Sequence, residues 1–171
     1  VAMSKPDNDL IAEVILLSEG FVNAREVGRK LVAVFNLSKQ LLSPQQHYDW
    51  GLRALKTVLG ISGQLIHGER EKNNPSLGQL PLEAQLIDQA MRVTTLPKLT
   101  FEDTSRFDEL VKDVFAGVEI SDAADANMEN AIRDAIKDMG LEEVEIQVQK
   151  VLQLHMACSQ RIGVIIVGPS G

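Results

Sequence analysis

The sequence predicts a mainly α-helical fold that runs into one short buried strand near its C-terminal end. Apolar residues recur every three or four positions in seven separate stretches, and helix-starting or helix-ending residues flank most of them. Four β-branched residues run unbroken at one place, Val164-Ile165-Ile166-Val167, as expected of a strand covered on both faces.

Pro6, Asp7 and Asp9 supply helix-starting chemistry ahead of Leu10, Ile11, Val14, Ile15 and Leu17, and Gly20 can end that helix in the left-handed conformation. From Ala24, the positions Val27, Leu31, Val34, Phe35, Leu41 and Leu42 carry a second helix, with Arg25, Arg29, Lys30 and Lys39 between them. Ser43-Pro44-Gln45-Gln46 offers an N-cap serine, a proline at the first helical position and a capping-box glutamine. A third helical region should open there, with its main helix after Asp49, which can cap it. Leu52, Leu55, Val58, Leu59, Leu65 and Ile66 form its apolar stripe, opposite Arg53 and Lys56. The stretch HGEREKNNPSLGQLP has no apolar period and reads as an exposed loop that contains His67. Leu82, Leu86, Ile87, Ala90 and Met91 make a fourth helix, stopped near Pro97.

Around LPKLTFED a short extended segment separates two helical groups, so a module boundary is expected at 97–98. Phe107, Leu110, Val111, Val114 and Phe115 form one stripe, and Met128, Ala131, Ile132, Ala135, Ile136 and Met139 another, each followed by glycine. Val144, Val148, Val151, Leu152 and His155 mark the last helix, with His155 expected in its core, before the strand at Val164–Val167. A parallel strand requires neighbours, and Val1-Ala2-Met3 reads like the tail of another strand. The 171 residues are therefore expected to be part of a longer chain.

A formal net charge of −7, from 24 acidic and 17 basic residues, gives no electrostatic reason to bind nucleic acid or an anionic membrane. No apolar run approaches the roughly 20 residues of a membrane helix, and VAMSKPDNDL lacks an export-signal pattern. Cys158 is the single cysteine, which fits a reducing compartment such as the cytosol, and three scattered histidines make no metal motif.

The C-terminal VIIVGPSG has the strand and first half of a phosphate-binding loop, strand-G-x-x-x-x-G-K-[ST]-helix, in which glycines let backbone N–H groups wrap a phosphate. Gly168, Pro169, Ser170 and Gly171 would be the loop residues. Taken alone, these four are also an ordinary exit from a strand into a turn.

HYDWGLRALKTVL, residues 47–59, resembles the lid segment of the first AAA+ module of dynein heavy chains, the ATP-driven microtubule motors. MSKPDNDLIAEVILLSEGF, LPKLTFEDTSRFDELVKDVFAGVE and IGVIIVGPSG resemble, in order, the end of that module's large subdomain with its first lid helix, the approach to the second module, and the second module's first strand and P-loop. MSKPDN, FNLSKQLL and VIIVGPSG are similar to the cytoplasmic dynein of the second type, which drives retrograde transport inside cilia and flagella.

The resemblance implies an AAA+ helical lid over residues 1–97 and the start of a second AAA+ large subdomain over 98–171. It implies that Arg53, in the GLRA motif, reaches the nucleotide phosphates as a sensor arginine, and a guanidinium matches phosphate geometry at any physiological pH. It places Pro6, Leu10, Pro97 and Leu99 where AAA+ proteins line the adenine pocket, although plain packing would also account for them. Implied cofactors are ATP or ADP with Mg in the whole motor, none held tightly by these residues alone. No catalytic site is complete within them, so ATP hydrolysis by the 171 residues is not expected. Implied partners are the neighbouring AAA+ modules and linker, microtubules and other dynein subunits, in the cytoplasm, the cytoskeleton and the cilium. His47, Tyr48, Asp49 and Trp50 lack a nucleophile at triad spacing and read as capping and packing residues. Two other classes fit the residues without the resemblance: a helical adaptor with an exposed apolar groove, and part of another P-loop ATPase.

Overall fold

The computed structural model describes residues 6–117, 123–160 and 164–168. Seven α-helices follow one another among the described residues: α1 Asn8–Glu19, α2 Ala24–Leu41, α3 Leu52–Glu71, α4 Leu80–Thr95, α5 Phe101–Val114, α6 Ala123–Asp138 and α7 Glu145–Gln160, with a 3₁₀ turn at Leu96–Lys98 between α4 and α5. The chain divides into two compact units, 1–120 and 121–171. The expected boundary at 97–98 falls inside the first unit, because α5 packs against α2.

In the first unit the caps set the helix ends. The Asp7 carboxylate accepts from the N–H groups of Asp9 (3.1 Å) and Leu10 (3.2 Å), and Gly20 ends α1 at φ 94°, a left-handed conformation that costs glycine least. Its carbonyl then accepts from Arg70 Nη2 at 2.8 Å, which puts a cation at the negative end of α1. Glu19 and His67 meet at 3.1 Å beside that contact. The C-terminal ends of α1 and α3 therefore lie together, and the two helices pack against each other. Ala12 and Leu16 of α1, Val27, Leu31 and Val34 of α2, Leu55 and Leu59 of α3, Ile87 and Met91 of α4, and Phe107 and Val111 of α5 fill one core.

Several expectations are corrected. Residues 43–50 are not helical, and the Ser43–Gln46 capping box does not form, because the Ser43 hydroxyl is taken by Asp103 from α5. The predicted loop after Ile66 starts late: α3 continues through His67 to Glu71, and Leu77 packs against the core. Leu10, Val14 and Leu17 keep helical spacing but stay more than half exposed, so α1 contributes its Ala12 and Leu16 face instead.

In the second unit α6 and α7 pack as a pair, with Gly140 at φ 67° closing α6. Val148 is fully buried, whereas Met139, Leu141 and Ile146 are more than half exposed. His155, expected in the core, is exposed. Residues 164–168 have no regular secondary structure, and Ile165 and Val167 are each 89% exposed. No strand exists among the described residues; a strand is defined by its ladder, and Val164–Val167 meets no partner there.

Candidate functional site

The stretch between α2 and α3, expected to open a helical region, is instead a non-helical connection held by hydrogen bonds and ring contacts. Tyr48 Oη accepts the Thr100 N–H at 2.8 Å and donates to Asp103 Oδ2 at 2.9 Å. The Ser43 hydroxyl and the Thr100 hydroxyl also donate to Asp103 Oδ2, the latter at 3.2 Å, while the Ser43 N–H donates to Oδ1 at 3.3 Å. His47 Nε2 lies 2.8 Å from the Lys98 carbonyl, which can only accept, so the imidazole carries its proton there. Asp49 Oδ1 accepts from the Gly51 N–H at 2.9 Å, immediately before α3 begins. Trp50 meets Phe35 edge-on at 5.7 Å and stacks on Phe107 at 6.3 Å, wedging the loop between α2 and α5. All four residues of the HYDW stretch thus cap or pack.

Asp103 is 1% exposed, and a buried carboxylate persists only when fully paired. Burial pushes its carboxyl up, but the hydrogen bonds from Ser43, Tyr48 and Thr100 outweigh burial and hold it below the ordinary carboxylate value. A depressed value means that its contribution to stability is complete above the unfolded carboxylate range and is lost as pH falls through the lowered value. Asp103→Asn should therefore be less stable than the parent at pH 7, with the gap closing below about pH 4. Urea midpoints measured from pH 7 to pH 2.5 check this; a gap independent of pH would contradict it.

Arg53 stands in the first turn of α3, just past this anchored stretch. Leu55, Val58 and Leu59 of the same helix are buried, and Arg53 and Lys56 project to solvent on the other side. Among the described residues the Arg53 guanidinium has no ion-pair or hydrogen-bond partner, while its carbonyl accepts from Thr57 at 3.0 Å. The N-cap Gly51 offers no side-chain cap, so the first N–H groups of α3 stay open beside Arg53. A helix N-terminus with open donors and an unpaired guanidinium suits a phosphate, although the Asp49 carboxylate at the same end works against any anion.

Among the described residues, only Leu99 of the other candidates is shown beside that end. Leu99 lines a shallow pocket with Tyr48, Asp49, Trp50, Ala54 and Thr57, so the α4–α5 junction and the start of α3 meet there. Pro97 is exposed on the 3₁₀ turn, and Pro6 and Leu10 are exposed at the start of α1. Gly168 is exposed in the second unit with no atom near the position of a Cβ, and Pro169, Ser170 and Gly171 lie outside the described residues. Among the described residues no cluster of His, Cys, Asp or Glu is arranged to hold a metal, and no helix is long and apolar enough to cross a membrane. Among its described residues the first unit thus offers one unpaired guanidinium whose chemistry suits a phosphate.

Sequence reasoning missed two anchors, one buried and one part-buried. Glu83, fully buried on α4, accepts from the Val22 N–H at 2.6 Å and the Asn23 N–H at 2.7 Å, capping α2 from a distance. Arg92 ties Asp88 of its own helix (2.8 Å) to Asp108 of α5 (2.6 Å). One signal was present for Glu83: it lies four residues before Ile87, on the buried stripe.

The family described as the hydrolytic ATP binding site of dynein motor region matches residues 1–171. The cytoplasmic dynein 2 heavy chain 1 of Chlamydomonas reinhardtii is 52% identical, that of Tripneustes gratilla 55% and that of Homo sapiens 51%, each over 100% of this chain. The chain spans 4% of the length of each of these relatives. Full coverage at this identity separates it from an unrelated helical adaptor and from P-loop ATPases at large: the chain belongs to the dynein motor-region family.

Proposed function

We propose that residues 1–97 are the end of the large subdomain and the helical lid of a first AAA+ module, and that residues 98–171 open a second module and run to the first half of its P-loop. In this reading Arg53 is the lid's sensor arginine. It contacts the terminal phosphates of nucleotide bound by the rest of the first module, so the lid's position depends on whether those phosphates are present. The observation that carries the reading is the placement of Arg53: solvent-facing, without a partner among the described residues, on a first turn entered from a stretch that Asp49, Tyr48 and Trp50 hold in place. Pro6, Leu10, Pro97 and Leu99 are proposed as the adenine-side neighbours, and Gly168 to Gly171 as half of the second module's phosphate loop.

Bound ATP with Mg would supply the hydrolysable phosphoanhydride, and this chain's part is to hold one cation toward it and pass on the displacement. The packing of α5 against α2 supports that transfer, since under the proposed boundary α5 belongs to the second module and α2 to the first. The whole heavy chain is then a microtubule motor of the cytoplasmic type 2 class, acting in retrograde transport within cilia, with its other AAA+ modules, linker and dynein subunits as partners.

The 171 residues by themselves are proposed to hydrolyse no ATP and to bind it weakly. Calorimetry of this chain with ATP should show a Kd of about 1 mM or weaker, the scale of a few unsupported contacts. Micromolar binding would contradict the division of the site between these residues and the rest of the heavy chain.

A further inference from the structure

The four residues between Tyr48 and Arg53 leave little slack. Tyr48 is bonded to both Thr100 and Asp103 at the start of α5. Asp49 is turned back onto the Gly51 N–H at 2.9 Å, Trp50 is held between Phe35 and Phe107, and Leu52 already belongs to α3 and packs on the core. The opposite side of the junction is equally determined. Asp103 lies in the first turn of α5, where a carboxylate is favoured by the helix dipole, yet it accepts hydroxyls from Ser43 and Tyr48, about 60 and 55 residues away. An exposed arginine on a freely hinged helix could meet a ligand without passing anything on. An exposed arginine on a helix entered through a short stretch bonded to α5 is coupled to α5 when it moves.

We propose that Tyr48 and Asp103 are positioning residues for Arg53: the hydroxyl–carboxylate latch between them fixes the first turn of α3 to the first turn of α5, so that the guanidinium and α5 move as one body. This rests on the reading of Arg53 as the phosphate-sensing group. The latch touches no nucleotide. Its work is to set the direction in which Arg53 is presented and to convert the engagement of Arg53 into a displacement of α5. Tyr48 suits that task because its ring packs edge-on to Trp50 at 6.1 Å, while its single hydroxyl serves as donor and acceptor at once.

The test is steady-state ATP turnover of the whole heavy chain carrying Tyr48→Phe, Arg53→Ala, or both. Tyr48→Phe keeps the ring and removes only the hydroxyl; it should slow turnover about threefold to tenfold. Groups acting as a unit are not additive, so the double variant should be no slower than Arg53→Ala alone. A merely structural role for Tyr48 would instead make the two losses multiply, and that result overturns the proposal, as does wild-type turnover in Tyr48→Phe. If Arg53→Ala itself turns over like wild type, the sensor reading fails and the latch fails with it; if only Arg53→Ala is slow, the sensor reading stands and the latch alone falls. Asp103→Asn, which keeps the side-chain shape, substitutes for Tyr48→Phe in the same cycle should that variant not fold.

Discussion

Replacing Arg53 by alanine in the whole heavy chain is expected to slow ATP turnover by at least about tenfold while leaving the helical unit folded. The two halves of that expectation have separate physical origins. Loss of one preorganised cation or donor aimed at developing phosphate charge costs an enzyme about tenfold to a thousandfold, because the water-excluded site strengthens the contact and nothing else fills it. Stability is spared because Arg53 is exposed and its guanidinium has no partner among the described residues, and substitutions at such positions stay within about 0.5 kcal/mol. The pairing of outcomes is the diagnostic. Parallel losses of turnover and of melting temperature would mean that Arg53 acts through the fold, and unchanged turnover would mean that it does not reach a nucleotide. Lysine at the same position should restore little, since a point charge does not reproduce the planar fork of donors.

Glu83→Ala is expected to have the opposite profile, a large loss of stability from a residue that the proposed nucleotide contacts do not include. Its two carboxylate oxygens each accept one backbone N–H, from Val22 at 2.6 Å and Asn23 at 2.7 Å, at the start of a helix whose N-cap side chain, Asn23, donates to the Gly78 carbonyl at 3.0 Å instead of capping its own helix. Removing the carboxylate leaves two part-buried donors without their acceptor, at about 1–3 kcal/mol each, and adds a small void beside Ile87. A total of about 3 kcal/mol or more corresponds to a fall of roughly 10 °C in the melting midpoint of a chain of this size. Glu83→Gln should lose about half as much, since one amide oxygen can still accept while the amide nitrogen faces a donor. Circular dichroism melts of the three proteins check the order; equal midpoints would show that Glu83 does not cap α2.

The helices were legible because their signals are local. Asp7 before α1 and Gly20 after it, Pro97 near the end of α4, and the stripe from Phe107 to Phe115 each act within a turn or two of the residues they organise. What was not legible depends on partners far along the chain. Ser43 has the chemistry of an N-cap, but its hydroxyl is bonded to a carboxylate 60 residues away, so the helix expected at Ser43 does not form. Glu83 lies on an apolar stripe where its charge argues against burial, and only the two N–H groups it meets explain its place. Leu10, Val14 and Leu17 have the period of a buried face without being one, since periodicity gives a helix its sides but does not say which side a neighbour covers. Val164–Val167 has strand composition, while a ladder needs neighbours that no pattern within the segment supplies. Arg53 is the extreme case: composition and spacing make it one more solvated cation, and only the motif around it singles it out.

That the arginine on the first turn of α3 senses the terminal phosphate of a nucleotide is tested most directly by a structure of the whole heavy chain loaded with a non-hydrolysable ATP analogue. The guanidinium of Arg53 should lie at charge-assisted hydrogen-bond distance, about 2.7–2.9 Å, from an oxygen of the terminal phosphate, and should lose that contact in the ADP form. A guanidinium turned away from the nucleotide in both forms would contradict the account.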